Sequence, residues 1–207
     1  MNKLAVFDFD STLMDGETIE IIANELGLKD KVAQITRQAM EGHMDFFDSL
    51  TCRVALLKGL EESRVNDICH NLPYMNGAKE TIKALKQKGF TVVCFSGGFK
   101  NATEYAKNIL GYDADFSNIL HAKEGILTGQ VGGEMMFSTS KGEMLVKLQN
   151  LLNVDYDNTV AIGDGANDLS MFKYAKTKVA FCAKECLVQA ATNVVYNKDL
   201  TEILKFI

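Results

Sequence analysis

Proline is nearly absent: Pro73 stands alone among 207 residues, against 16 glycines. So little of the residue that breaks helices suits long regular elements, with turns left to glycine. Cysteine supplies no framework either, because Cys52, Cys69, Cys94, Cys182 and Cys186 are odd in number, scattered and nowhere spaced as CxxC. Neither a disulfide scaffold nor a zinc site is indicated, and a reducing compartment is the simpler expectation. His43, His70 and His121 are too dispersed to pair as metal ligands on one helix. No apolar run approaches the roughly 20 residues of a membrane-spanning helix. The N-terminus passes from a short apolar run to Asp8 and Asp10, unlike a secretory signal. Cytoplasmic residence is therefore expected, with no regulatory domain ahead of the first strand. An excess of basic charge is also lacking: 22 Lys plus Arg face 27 Asp plus Glu, for a net charge of -5. That argues against nucleic-acid and anionic-membrane partners, and an anionic ligand would need positive charge gathered locally.

What is present is an ordinary globular composition, 47% apolar and 24% charged, in a chain long enough for one or two domains. Apolar runs of four to six residues stop abruptly at small or acidic residues, as strands buried on both faces do. Leu4 to Phe7 stops at Asp8, Phe90 to Phe95 at Ser96-Gly97-Gly98, and Thr159 to Ile162 at Gly163-Asp164-Gly165. Val179 to Phe181 and Val194 to Tyr196 read as further strands. Helical patterns lie between them, ending at Gly89, at Gly111, and after Leu152. This alternation predicts an α/β fold with a parallel sheet wrapped on both faces. Residues 17–72 depart from it, with four short amphipathic helices ending at Gly27, Gly42, Gly59 and Pro73. They read as a helical bundle inserted after the first strand, dividing the chain into a core of 1–14 and 76–207 and an insertion of 15–75. Asn118 to Val131, turning at Lys123-Glu124-Gly125, reads as a β-hairpin.

Ligands of open parallel sheets bind beyond the carboxyl ends of the strands. The three clearest strands deliver Asp8-Phe9-Asp10-Ser11-Thr12, then Ser96-Gly97-Gly98, then Gly163-Asp164-Gly165-Ala166-Asn167-Asp168 at that edge. Asp8, Asp10, Asp164 and Asp168 in one pocket would repel each other unless a hard cation sat among them, and all-oxygen ligation points to Mg2+. Serine followed by two glycines lets backbone N–H groups approach an anionic oxygen. Carboxylates, magnesium and a phosphate cradle together describe phosphoryl transfer. Lys141 opens a helix, where a cation opposes the macrodipole and hints at a bound anion.

Taken in order, DxDxT at Asp8, Ser96, Lys141 and GDGAND at Gly163 resemble the signature of the haloacid-dehalogenase-like superfamily. Glu17, Arg53 and Ser96-Gly97-Gly98-Phe99 extend the resemblance to members acting on phosphorylated serine, over essentially the whole chain. The resemblance implies a Rossmann-like core with an inserted helical cap. It also implies hydrolysis of O-phospho-L-serine to serine and phosphate, the last step of serine biosynthesis, through an aspartyl-phosphate. By the same resemblance Asp8 is the nucleophile and Asp10 the acid and later the base. Mg2+ is held by Asp8, the Asp10 carbonyl and Asp164, with Asp168 ordering a water on it. Ser96, Gly97 and Lys141 grip the phosphoryl group, with Asn167 beside them. Glu17 takes the substrate ammonium and Arg53 its carboxylate, while Met40 and Phe46 shape an apolar wall.

Each motif has a plainer reading. DxDxT alone could be a helix cap, GDGAND a glycine turn, Ser96-Gly97-Gly98 a tight turn, and Glu17 and Arg53 solvated helix charges. Their conjunction at successive strand ends carries the assignment. A phosphatase or phosphotransferase acting on another small phosphomonoester, such as phosphohomoserine or phosphoethanolamine, stays open as the alternative, and a non-catalytic phospho-ligand sensor would have no need of Asp8, Asp10, Lys141 and Asp164 together.

Overall fold

The apolar runs form strands β1 (Lys3–Asp8), β2 (Phe90–Phe99), β3 (Ala114–Lys123), β4 (Ile126–Gly133), β5 (Thr159–Gly163), β6 (Thr177–Phe181) and β7 (Asn193–Val195). In the computed structural model, which describes residues 2–40 and 43–207, they make one sheet in the order β4-β3-β2-β1-β5-β6-β7. Every pairing is parallel except β3 with β4. The chain runs outward from β1 to β2 and β3, then crosses to β5 on the other side. The resulting change of direction at β1 opens a crevice at its carboxyl end.

The strands lack polar alternation because both faces are covered. On β1, Leu4 and Val6 pack with Leu145, Met171 and Leu187 of α7 (Ser140–Leu152), α8 (Leu169–Phe172) and α9 (Glu185–Val188). Ala5 and Phe7 face the other way, against Ile82 and Ala106 of α5 (Ala78–Gln87) and α6 (Lys100–Leu110).

Between β1 and α5 the elements among the described residues are all helices: α1 (Thr18–Asn24), α2 (Lys29–Met40), α3 (Phe46–Ala55) and α4 (Glu62–Cys69). The expected stops at Gly27, Gly59 and Pro73 fall a few residues beyond the observed ends, while Gly42 lies outside the described residues. Asp45 caps α3 by accepting the N–H groups of Phe47 and Asp48. The buried stripes of these helices, with Ile22, Leu50, Val54 and Val65, run continuously into the α5/α6 side of the core. Pro73 sits where the chain returns beside its own exit. Its carbonyl accepts the Asp15 N–H at 2.8 Å, and the Met75 N–H reaches the Leu13 carbonyl at 2.9 Å.

The structure differs from the expected strand pattern in two places. Strand β2 continues through Ser96-Gly97-Gly98 to Phe99 instead of stopping before them, with an irregular register against β3 between Phe95 and Phe99. The β3–β4 hairpin is longer than Asn118 to Val131 and turns at Glu124 and Gly125, both at positive φ, as a two-residue hairpin turn requires. Its tip is bonded to the inserted helices: the Gly59 N–H donates to the Leu127 carbonyl, and the Glu62 N–H to that of Gly125.

Candidate active site

Asp8 ends β1, where the buried strand forces its carboxylate into the crevice. Its Oδ1 accepts the Phe9 N–H at 2.6 Å and Lys141 Nζ at 2.7 Å, and Oδ2 has no hydrogen-bond partner among the described residues. Lys141 also reaches Asp168 Oδ1 at 2.6 Å. The anion that a cation at the start of α7 called for is therefore supplied, at least in part, by these two carboxylates. Burial first, and then the Asp168 charge, hold the Asp8 pKa well above the usual carboxylate range, with Lys141 opposing. For Lys141 burial alone would lower the pKa, but Asp168 and Asp8 outweigh it and the net shift is upward.

The chain turns sharply after Asp8, with Ser11 at a φ of 57° and its N–H bonded to the Gly16 carbonyl. This brings Asp10 and Glu17 to the same rim. Ser11 Oγ donates to Glu17 Oε1 at 2.9 Å, while Asp10 Oδ1 accepts both the N–H and the hydroxyl of Thr18. Burial raises the Asp10 pKa, and the two Thr18 bonds pull against that rise. Burial, and then the Asp10 and Asp164 charges, push Glu17 up to about 8.

Beyond β5, the Asp168 carboxylate folds back under its own loop, where Oδ2 accepts the N–H groups of Asp164 and Gly165, both at 3.0 Å. Gly163 has to be glycine here, because a Cβ would stand 2.2 Å from Asp168 Oδ2. Asp164, 8% exposed, is pushed up to about 7 by burial and then by the Asp168 charge. On β2, Ser96 is fully buried and its Oγ accepts the Gly98 N–H at 2.9 Å, which leaves its own proton uncommitted. The glycines serve packing as well as backbone access: a Cβ on Gly97 would meet the Phe46 ring at 3.1 Å, and one on Gly98 would meet Asp10 Oδ2 at 3.0 Å.

These groups border a cavity of about 290 Å³ roofed by the inserted helices. Asp8, Asp10, Glu17, Arg53, Gly97, Asp164 and Asn167 line it, whereas Ser96, Lys141 and Asp168 lie behind that lining. Phe46 and Met44 form part of its apolar wall, and the Met40 side chain lies outside the described residues. Phe46, Ser49, Leu50 and Arg53 recur at helical spacing on α3, so one face of that helix turns to the cavity. Arg53 is anchored by Nε to the Ser49 carbonyl at 3.2 Å and by Nη1 to Thr36 Oγ1 at 3.2 Å. Thr18 and Thr36 were not legible as site residues, since nothing but their tertiary partners distinguishes them from other helix hydroxyls.

Carboxylate oxygens of Asp8, Asp164 and Asp168 lie within 4.8 Å of one another, all buried. Against them stands the ammonium of Lys141, which the three carboxylates, once ionised, exceed by two negative charges. An all-carboxylate set of that charge, with no thiolate or imidazole in it, fits a hard divalent cation.

A buried carboxylate at the end of β1, a second two residues on, a buried lysine and an acidic pair after β5 thus meet at the carboxyl edge of the parallel strands. The sequence signature of haloacid dehalogenase-like hydrolases matches residues 2–176, and the chain belongs to that family. Within it the likeness is narrower. The phosphoserine phosphatase of Wolinella succinogenes is 61% identical over 202 residues, covering 98% of each chain. That of Methanocaldococcus jannaschii is 47% identical over 99% of this chain and 97% of its own. A solved phosphoserine phosphatase with a phospho-aspartyl intermediate analogue superposes with a TM-score of 0.96 at 47% identity, covering 100% of this chain and 99% of that one. A substrate-bound phosphoserine phosphatase complex gives the same score at 46% identity and the same coverage.

Proposed function

We propose that this protein hydrolyses O-phospho-L-serine to L-serine and phosphate. The observation that carries the reading is a cavity bordered by the Asp8 and Asp10 carboxylates together with one buried cation, Arg53, and a further carboxylate, Glu17. A zwitterionic amino acid presents the complementary pair. Arg53 offers its remaining guanidinium donors to the substrate carboxylate in a two-bond fork, and Glu17 receives the ammonium, whose positive charge favours the ionised carboxylate, so that the Glu17 proton passes to solvent on binding.

Asp8 attacks phosphorus, forming the Asp8 O–P bond as the bond from phosphorus to the serine oxygen breaks. Asp10 gives its proton to the departing serine oxygen. Asp10 then takes a proton from the water that attacks the aspartyl-phosphate, so that phosphate leaves and the Asp8 carboxylate is regenerated. Lys141 holds Asp8 oriented, favours its ionised form and balances phosphoryl charge, together with Ser96, Gly97 and Asn167. Asp8, Asp164 and the Asp10 carbonyl would hold Mg2+, with Asp168 supporting the Asp164 loop from behind. Bound there, the cation would neutralise phosphoryl charge and favour in-line attack.

Residues 15–75 act as a cap on the core of 1–14 and 76–207, pivoting near Asp15-Gly16 and Asn76-Gly77. Support comes from Gly16 and Gly77, at φ of 144° and 74°. Closure would exclude water from the cavity. The five unpaired cysteines suit work in the reducing cytoplasm.

The test is phosphate release by purified protein with Mg2+ from O-phospho-L-serine, O-phosphohomoserine and phosphoethanolamine. The reading expects O-phospho-L-serine to give the highest kcat/KM and Asp8→Asn to abolish release while leaving the thermal midpoint within a few degrees. Activity surviving in Asp8→Asn, or a preference for phosphoethanolamine, would refute it.

A further inference from the structure

The acid of this reaction is held by a residue outside every motif. Helix α1 opens at Thr18 with no side-chain cap from the preceding Glu17, whose carboxylate is engaged by Ser11. Asp10 fills that place from eight residues earlier, its Oδ1 accepting the Thr18 N–H at 2.8 Å and the Thr18 hydroxyl at 2.5 Å. Thr18 is 1% exposed, so water does not compete for these bonds. With Oδ1 committed twice, the plane of the Asp10 carboxyl is fixed, and Oδ2 lies beside Gly98, 3.0 Å from where a Cβ would stand. The torsion that turns a carboxyl is otherwise broad, and proton transfer needs the acid within hydrogen-bond reach of the leaving oxygen. Thr18 belongs to the inserted helices, two residues past Gly16, whereas Asp10 belongs to the loop after β1.

We propose that Thr18 is the positioning residue for Asp10, aiming Oδ2 into the cavity and tying the orientation of the acid to the seating of the first inserted helix. This rests on the role given to Asp10 above. Thr18 touches no substrate in this scheme and acts only through Asp10.

Thr18→Val removes the hydroxyl at nearly constant shape, and Thr18→Ser keeps it. With O-phospho-L-serine, kcat of Thr18→Val should fall about 10-fold or more, the scale of one charge-assisted hydrogen bond, with KM within about threefold. Thr18→Ser should return kcat to within about threefold of the wild type. In an Asp10→Asn background, Thr18→Val should cost nothing further, because the two residues act as one unit. If Thr18→Val does not fold, Thr18→Ala against Thr18→Ser gives the same comparison. An unchanged kcat in Thr18→Val, an equal loss in Thr18→Ser, or full additivity with Asp10→Asn would overturn the proposal. Parallel assays with phosphoethanolamine, whose alkoxide leaving group also needs a proton, separate the two ideas. If the wild type turns over only that ester, the substrate reading fails, and the Thr18 comparison is then read on it.

Discussion

Replacing Lys141 with methionine removes one charge from a cluster that has little else to balance it. The ammonium is 3% exposed and bonds two carboxylates, Asp8 at 2.7 Å and Asp168 at 2.6 Å. Removing one partner of a buried ion pair costs about 3–5 kcal/mol, and two acids lose their partner here, which favours the upper end. For a chain of this size each kcal/mol moves the midpoint by about 2–4 °C, so a fall of about 10–20 °C is expected. The cost is limited by protonation. Burial and the neighbouring carboxylates already raise the Asp8 pKa, and Lys141 is the group that lowers it. In the variant that pKa rises further, so Asp8 stays neutral to higher pH and stability is lost as pH rises through the new value. The fall should therefore be larger at pH 8 than at pH 6. The assay is thermal unfolding of chelator-treated protein at both pH values, with phosphate release measured alongside, where a loss of about 100-fold or more is expected. A midpoint at pH 8 within about 2 °C of the wild type would refute the reasoning, since by this size scaling the charge would then be holding nothing.

Three further perturbations test other parts of the site. Arg53→Lys keeps the charge but loses the fork, so KM for O-phospho-L-serine should rise about 10- to 100-fold with a smaller change in kcat; an unchanged KM would remove Arg53 from carboxylate binding. Gly98→Ala places a methyl 3.0 Å from Asp10 Oδ2 and 3.1 Å from Ser96 Oγ, and kcat should drop about 10-fold or more with the fold retained, as read by steady-state kinetics beside circular dichroism. Glu17 has its pKa raised to about 8, so its contribution to stability is full below its unfolded value near 4.5 and is lost as pH rises towards 8. In ligand-free protein, Glu17→Gln should accordingly gain stability relative to the wild type between pH 5 and pH 8 in denaturant titrations, and an identical pH dependence in both would count against that shift.

Much of the fold could be read from the chain because its strands are buried on both faces and end abruptly. Leu4 to Phe7 is uniformly apolar since α5 and α6 cover one side and α7 and α8 the other, and its end at Asp8 marks where the cover stops. The stops at Gly27, Gly59 and Pro73 likewise marked three of the inserted helices to within a few residues. The path of β2 was harder to see. Three small residues, Ser96-Gly97-Gly98, look like a turn in isolation, yet the strand runs on to Phe99 because those glycines admit the Phe46 ring and the Asp10 carboxylate at close range. Long-range packing of that kind has no local signature.

The amino-acid sequence by itself determined the order of elements, the strand ends at which chemistry collects, and the acids, lysine and arginine available there. Local periodicity and turn chemistry are properties of neighbouring residues, and they suffice for that. Only the tertiary structure decided which atoms meet: Lys141 bridging Asp8 and Asp168, Thr36 anchoring Arg53, and Thr18 bonded to Asp10. Hydrogen bonds between side chains brought together by the sheet and its inserted helices depend on distances of a few tenths of an ångström. That scale is set by the packing of the whole chain and by no segment of it.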